Sequence, residues 1–260
     1  MSDAILIGLL IIGAILIFLA VTFKPKKRAP NRLLPLPDAY RQLLNEQVAF
    51  YNRLGDADKM KFENRVQHFL STTRITGIKT TVEDLDKVLV GASAIIPIFA
   101  FSNWEYTNLR EVLLYPETFG ENFETEGGDR VVMGMVGNGP MQQVMILSQH
   151  ALRQGFSNKT DKGNTAIHEF VHLVDKTDGD VDGVPEVLIQ HQYVLPWLDL
   201  VHKSITEIMK NKSDINAYGA TSKAEFLAVA AEYFFERPDL LKRKHPELYN
   251  MLEKMFGKLN

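Results

Sequence analysis

The sequence predicts an α+β domain, mainly helical with a small sheet, preceded by one N-terminal transmembrane helix. Three observations carry this reading. Residues 4–23 form an uncharged, strongly apolar run. Residues 38–72 and the chain from 149 onward repeat apolar residues at helical spacing. Between them lie three short strand-like runs separated by Gly and Pro. The order of helices, then strands, then helices is that of an α+β fold.

The first element is AILIGLLIIGAILIFLAVTF, residues 4–23. At 1.5 Å per residue it spans roughly 30 Å, a bilayer core. The segment before it is MSD, with an acid and no basic residue, and no A-x-A cleavage site follows. It therefore reads as a retained single-pass anchor and not as a cleaved signal peptide. Lys24, Lys26, Lys27, Arg28 and Arg32 flank it. The positive-inside rule places that flank, and the domain behind it, in the cytoplasm. Residues 24–37 carry four prolines and this basic cluster, and form a stiff linker that can touch anionic lipid. The expected organisation is anchor 1–23, linker 24–37 and folded domain 38–260.

Within the domain, DAYRQLLNEQVAFYNRL and DADKMKFENRVQHFLSTT repeat apolar residues every three and four positions. VEDLDKVLVGASAIIPIFAF, residues 82–101, is apolar enough to be a buried central helix. EVLLY (111–115), RVVMGMV (130–136) and QVMILS (143–148) are the strand candidates. The last reads equally well as a core strand or as an edge that binds a substrate backbone by strand addition.

Composition narrows the chemistry. A formal net charge of -3 argues against a direct nucleic-acid binder. The chain has no cysteine, so disulfides and thiolate metal sites are excluded. A transition metal would have to be held by His, Asp or Glu.

NTAIHEFVHLVD, residues 164–175, supplies such a set. His168, Glu169 and His172 fit H-E-x-x-H. Residues four apart on a helix are about 5–6 Å apart at Cβ. Two imidazoles so placed can converge on one zinc at roughly 2.0–2.1 Å. Glu169 projects about 100° around the helix, within reach of a water on the metal but not a ligand. Zinc would lower the pKa of that water and the glutamate would take its proton. Asn164 or Thr165 can cap the start of this helix, Ile167, Phe170, Val171 and Val174 make its apolar stripe, and Asp178 and Gly179 end it.

A catalytic zinc needs a third protein ligand and an open position. Glu225 and Glu232 are candidates, seven residues apart on nearly the same helix face. Ser222 to Glu225 is also a capping box, and Glu232 sits among apolar residues where an unpaired carboxylate would be costly. Spacing does not choose between the two. His150, His191 and His202 lack a ligand at helical spacing and read as surface or core residues.

The motif HEFVHLVD, followed by DGVP at 182–185 and by Y-x6-E-F-x-A-x-x-x-E-Y-F-F at 218–235, resembles the Mlc titration factor A family of zinc peptidases. That family's active site is similar to that of the anthrax lethal factor peptidase domain. FYNRL at 50–54, REVLLYPETF at 110–119 and VMILSQHALRQG at 144–155 extend the resemblance over roughly residues 36–250. It implies a zincin-like metallopeptidase domain with zinc ligands His168, His172 and Glu225. Glu169 falls on the family's catalytic base, Tyr218 on its active-site tyrosine, and Glu232 on a position behind the ligands. A tyrosine OH there would stabilise an oxyanion. The resemblance further implies a peptide or protein substrate, aminopeptidase-type activity and binding of a glucose-responsive transcriptional repressor. It implies nothing about the anchor, which the soluble family members lack.

Overall fold

A computed structural model describes residues 35–101, 104–117, 134–136, 143–158 and 160–259. The expected anchor at 4–23 and most of the linker lie outside the described residues. Among those described, no helix is long and apolar enough to cross a membrane. The packed core already includes Leu36, 3% exposed, at the end of the segment read as linker.

Helix α1 (Asp38–Gln47) follows Pro37, whose φ of -55° suits a helix start. The periodicity 38–54 does not make one continuous helix. Val48 is extended and fully buried, and separates α1 from the short α2 (Ala49–Arg53). α3 (Asp56–Thr72) opens with Asp56 and Asp58 in its first turn, where carboxylates favour the helix dipole.

A strand the sequence did not announce follows: β1 (Arg74–Gly77). α4 (Asp84–Ile95) begins with a capping box between Glu83 and Asp86. It is shorter than the expected 82–101, because Pro97 cannot continue an α-helix and residues Ile96–Ile98 form a 3-10 turn instead. Its burial does match the central-helix expectation, with every residue from Val88 to Ile95 buried.

β2 (Glu111–Tyr115), β3 (Gly134–Val136) and β4 (Val144–Ser148) complete a sheet of order β1-β2-β4-β3. β1, β2 and β4 are parallel, with Val112 opposite both Ile75 and Met145. β3 is antiparallel to β4, with Met135 opposite Ile146. Residues 130–133 of the expected third strand lie outside the described residues. β4 is hydrogen-bonded on both sides, so strand addition to it is ruled out and the core-strand reading holds.

The remaining elements are helical: α5 (Gln149–Ser157), α6 (Thr165–Asp175), α7 (Val194–Met209), α8 (Lys223–Glu236), α9 (Pro238–Lys244) and α10 (Pro246–Phe256). The molecule is thus mainly helical α+β, as expected. Ile167, Phe170, Val171 and Val174 of α6 are at most 1% exposed. Phe170 packs on Phe69 and Tyr106, at ring-centroid distances of 5.8 and 5.2 Å. Burying four such side chains contributes on the order of 1.5–3 kcal/mol each before the entropy cost of ordering them. This packing fixes the rotation of α6, and so fixes which way His168 and His172 point.

Candidate metal centre

Asn164 begins α6 as its N-cap. Its Oδ1 accepts from the backbone N–H of Ile167 at 3.2 Å, and its backbone oxygen accepts from His168 N at 3.0 Å. Its own N–H donates to Glu232 Oε2 at 2.5 Å, and its Nδ2 donates to Glu236 Oε1 at 2.9 Å. The cap is therefore also the joint between α6 and α8. Gly155 of α5 makes room for it, since a Cβ there would lie 2.9 Å from Asn164 Cγ. At the other end α6 passes into a 3-10 turn (Lys176–Asp178) and stops at Gly179, whose φ is +114°.

Ser222 caps α8 by accepting from Glu225 N at 3.1 Å. This is half of the expected capping box. The Glu225 carboxylate turns towards α6 instead, with Oε2 2.9 Å from His168 Nε2 and 3.5 Å from His172 Nε2. The two Nε2 atoms are 3.1 Å apart. Glu232, two turns further along α8, holds the other side of the same imidazole: its Oε1 accepts from His168 Nδ1 at 2.7 Å. His168 thus spans the two glutamates. Glu225 faces the ring nitrogen directed at the ligand set, and Glu232 faces the one behind it.

These three donor atoms fit a tetrahedral metal. Zinc roughly 2.0–2.1 Å from each donor requires donors about 3.3–3.4 Å apart. The observed separations are 2.9, 3.1 and 3.5 Å. The chemistry agrees. Because His168 Nδ1 donates to Glu232, neutral His168 presents a lone pair at Nε2. That lone pair faces a carboxylate oxygen, which also only accepts. Either a proton or a metal cation lies between them. Among the described residues, His168, His172 and Glu225 are the one group of three such side chains close enough to share a metal.

Without a metal, protons do this work. Burial disfavours an imidazolium at His168, but Glu225 and Glu232 outweigh it and raise its pKa to about 10. Burial also opposes ionisation of Glu225, and its bonds to the two histidines lower it to about 2. Glu169, 7% exposed, is raised, first by burial and against the pull of both histidines. A carboxylate raised in this way suits proton transfer near neutral pH. The second histidine is held differently. His172 Nδ1 is buried with no hydrogen-bond partner among the described residues, so the ring's polar contacts are all on its Nε2 side, towards His168 and Glu225.

Tyr218 sits in a 3-10 turn (Ala217–Ala220) capped by Asn216, whose Oδ1 accepts from Tyr218 N at 3.0 Å. Its ring centroid is 6.0 Å from that of His168, and it is 53% exposed. All five expected site residues are thus brought together. His150, His191 and His202 are exposed and stand apart. Two supporting residues were not anticipated. Glu236, raised to about 7 chiefly by burial, shares Asn164 with Glu232. Asp175, the last residue of α6, accepts from Gly183 N at 2.8 Å, and Gly183 O accepts from Trp197 Nε1 at 2.6 Å. The one signal available for these was an acid in each case within or beside an apolar helix.

The chain matches the profile of the family described as glucose-regulated metallo-peptidase M90 over residues 23–257. The chain belongs to the M90 metallopeptidase family. In this M90 chain the match begins as the apolar run 4–23 ends and contains every residue of the candidate site. An uncharacterized protein of Synechocystis is 27% identical over 235 residues, covering 85% of this chain and 84% of that one. Mlc titration factor A of Pectobacterium atrosepticum is 24% identical over 218 residues, covering 78% and 80%. Mlc titration factor A of Escherichia coli is 25% identical over 242 residues, covering 87% of each. The M90 assignment implies a metal, and the His168, His172, Glu225 donor set is where one fits.

Proposed function

We propose that this chain is a zinc-dependent peptidase whose metal is held by His168, His172 and Glu225. The observation that carries the reading is the convergence of these three donors beside the buried, raised carboxyl of Glu169. A zinc ion there would supply Lewis-acid chemistry, making a water acidic and polarising a carbonyl. Glu169 takes the proton from the attacking water and returns it to the leaving amine. Tyr218 donates to the oxygen on which charge develops. Glu232 keeps His168 in the tautomer that directs Nε2 at the metal. An extended peptide would lie along the outer side of β3, which pairs antiparallel with β4 and is the edge strand of the sheet among the described residues.

The test is metal analysis of the purified full chain together with turnover of a fluorogenic peptide library. One zinc per chain, hydrolysis lost on chelation and hydrolysis restored by zinc are expected. Zinc bound at full occupancy without turnover of any peptide would overturn the peptidase reading.

A second reading has its own observation. Relatives are named for titration of Mlc, which favours a chain that binds a regulatory protein, with or without hydrolysis. Aminopeptidase action is a narrower form of the first reading and would appear as release of N-terminal residues only. We also propose that residues 4–23 anchor the chain in a membrane with the domain on the cytoplasmic side. The support is an uncharged span followed by a basic cluster. Extraction of the full chain from membranes by salt alone would contradict it.

A further inference from the structure

We infer that Asp214 is the positioning residue for Tyr218, tying the turn that carries the tyrosine to the two points that orient His168. The inference rests on the peptidase reading above. Tyr218 is half exposed, and its 3-10 turn has four residues. Such a turn has weak internal hydrogen bonding and does not fix its own place. Its neighbours fix it. Ile215 is buried, and Gly219 packs where an added Cβ would touch Val229 at 3.4 Å.

Asp214 supplies the polar anchor. Its Oδ2 accepts from Lys162 Nζ at 2.7 Å, Lys244 Nζ at 2.9 Å and Tyr233 OH at 3.0 Å. Its Oδ1 pairs with His245 Nε2 at 2.7 Å. Lys162 also donates to the backbone oxygen of Asp214 at 2.6 Å, so the main chain is gripped as well as the side chain. An isolated surface pair is worth little, but one carboxylate held by four donors from three segments of chain over-determines its position. Burial opposes its ionisation, yet Lys162, His245 and Lys244 hold the carboxyl well below the ordinary range. It therefore stays charged at any pH where a peptidase would work.

The identity of these donors gives the cluster its purpose. Lys162 stands two residues before Asn164, the cap of α6. Tyr233 directly follows Glu232 on α8. Asp214 therefore references the Tyr218 turn to the pair Asn164 and Glu232, which sets His168.

The experiment uses the full, zinc-loaded chain. Asp214→Asn keeps the size and removes the charge. Hydrogen exchange of peptides covering 213–221 should rise roughly tenfold or more, while peptides covering 164–175 stay unchanged. On a fluorogenic peptide, kcat should fall roughly tenfold or more with KM and zinc content within about twofold. In a Tyr218→Phe background the same substitution should have no further effect on kcat. Lys162→Met, which releases the Asp214 backbone oxygen and removes one of the four donors to its carboxylate, should show the same pattern at smaller size if Asp214→Asn does not fold. Unchanged exchange at 213–221, or an equal loss of kcat with and without the Tyr218 hydroxyl, would overturn the inference. A zinc-loaded wild-type chain without hydrolysis would instead strike the peptidase reading, and the exchange result would then decide for or against Asp214 by itself.

Discussion

Glu232 Oε1 lies 2.7 Å from His168 Nδ1, while Glu232 Oε2 accepts the backbone N–H of Asn164 at 2.5 Å. One carboxylate therefore fixes both the first ligand and the start of the helix that carries it. His172 has no such support among the described residues, so Glu232 carries most of the polar control over the ligand set.

Glu232→Gln keeps the shape but offers an amide where the carboxylate stood. Zinc affinity, read by chelator competition, should fall about 10–100-fold. Glu232→Ala should also cost about 1–3 kcal/mol of stability by leaving Asn164 N–H unpaired. Wild-type zinc affinity in both variants would remove Glu232 from the account.

The metal-free protein should show a specific pH profile. His168 is raised from 6.5 to about 10 in the folded chain. Its contribution is therefore complete below about pH 6.5 and is lost as pH rises towards 10. Glu225 is lowered from 4.5 to about 2. Its contribution is complete above about pH 4.5 and is lost as pH falls towards 2. The Tm of chelated protein should therefore be highest near pH 5–6 and decline above pH 7. Zinc replaces the shared proton, so the decline should be absent from the zinc-loaded chain. Parallel Tm profiles with and without zinc would contradict this.

Gly183 sets the spacing between the two ligand-bearing helices. Its φ is +80°, and an added Cβ would stand 2.4 Å from Lys223 O at the start of α8. Its N–H is bound by Asp175 at the end of α6. Gly183→Ala should destabilise the fold by about 2 kcal/mol or more and displace Glu225, lowering zinc affinity. Thermal melts and chelator titration on the same preparation check both effects.

The metal helix was legible because its signals are local. The H-E-x-x-H spacing, the Asn164 cap, the apolar stripe and the Gly179 stop all lie within 16 residues of chain. The choice between Glu225 and Glu232 was not legible from periodicity, since residues seven apart share a helix face. Both in fact turn to His168, and only the ring's orientation separates their roles. Family resemblance assigned them; in the structure Glu225 joins the two histidines and Glu232 stands behind His168. β1 escaped notice because it has four residues, one of them Gly, and its partner strand lies more than 30 residues away. The interior place of β4 was equally hidden, because strand order depends on pairing that no local pattern encodes. Pro97 was a local signal that the apolar run around it overrode. Glu236 and Asp175 read as ordinary helix acids, and their partners Asn164 and Gly183 are visible only once the helices meet.

In the proposed mechanism Glu169 moves the proton and does not hold the metal. Its sharpest test is zinc content and peptide turnover measured together on Glu169→Gln. One zinc per chain is expected, as in the wild type, with turnover reduced by about 10²-fold or more. Turnover near the wild-type level, or loss of zinc together with activity, would contradict it.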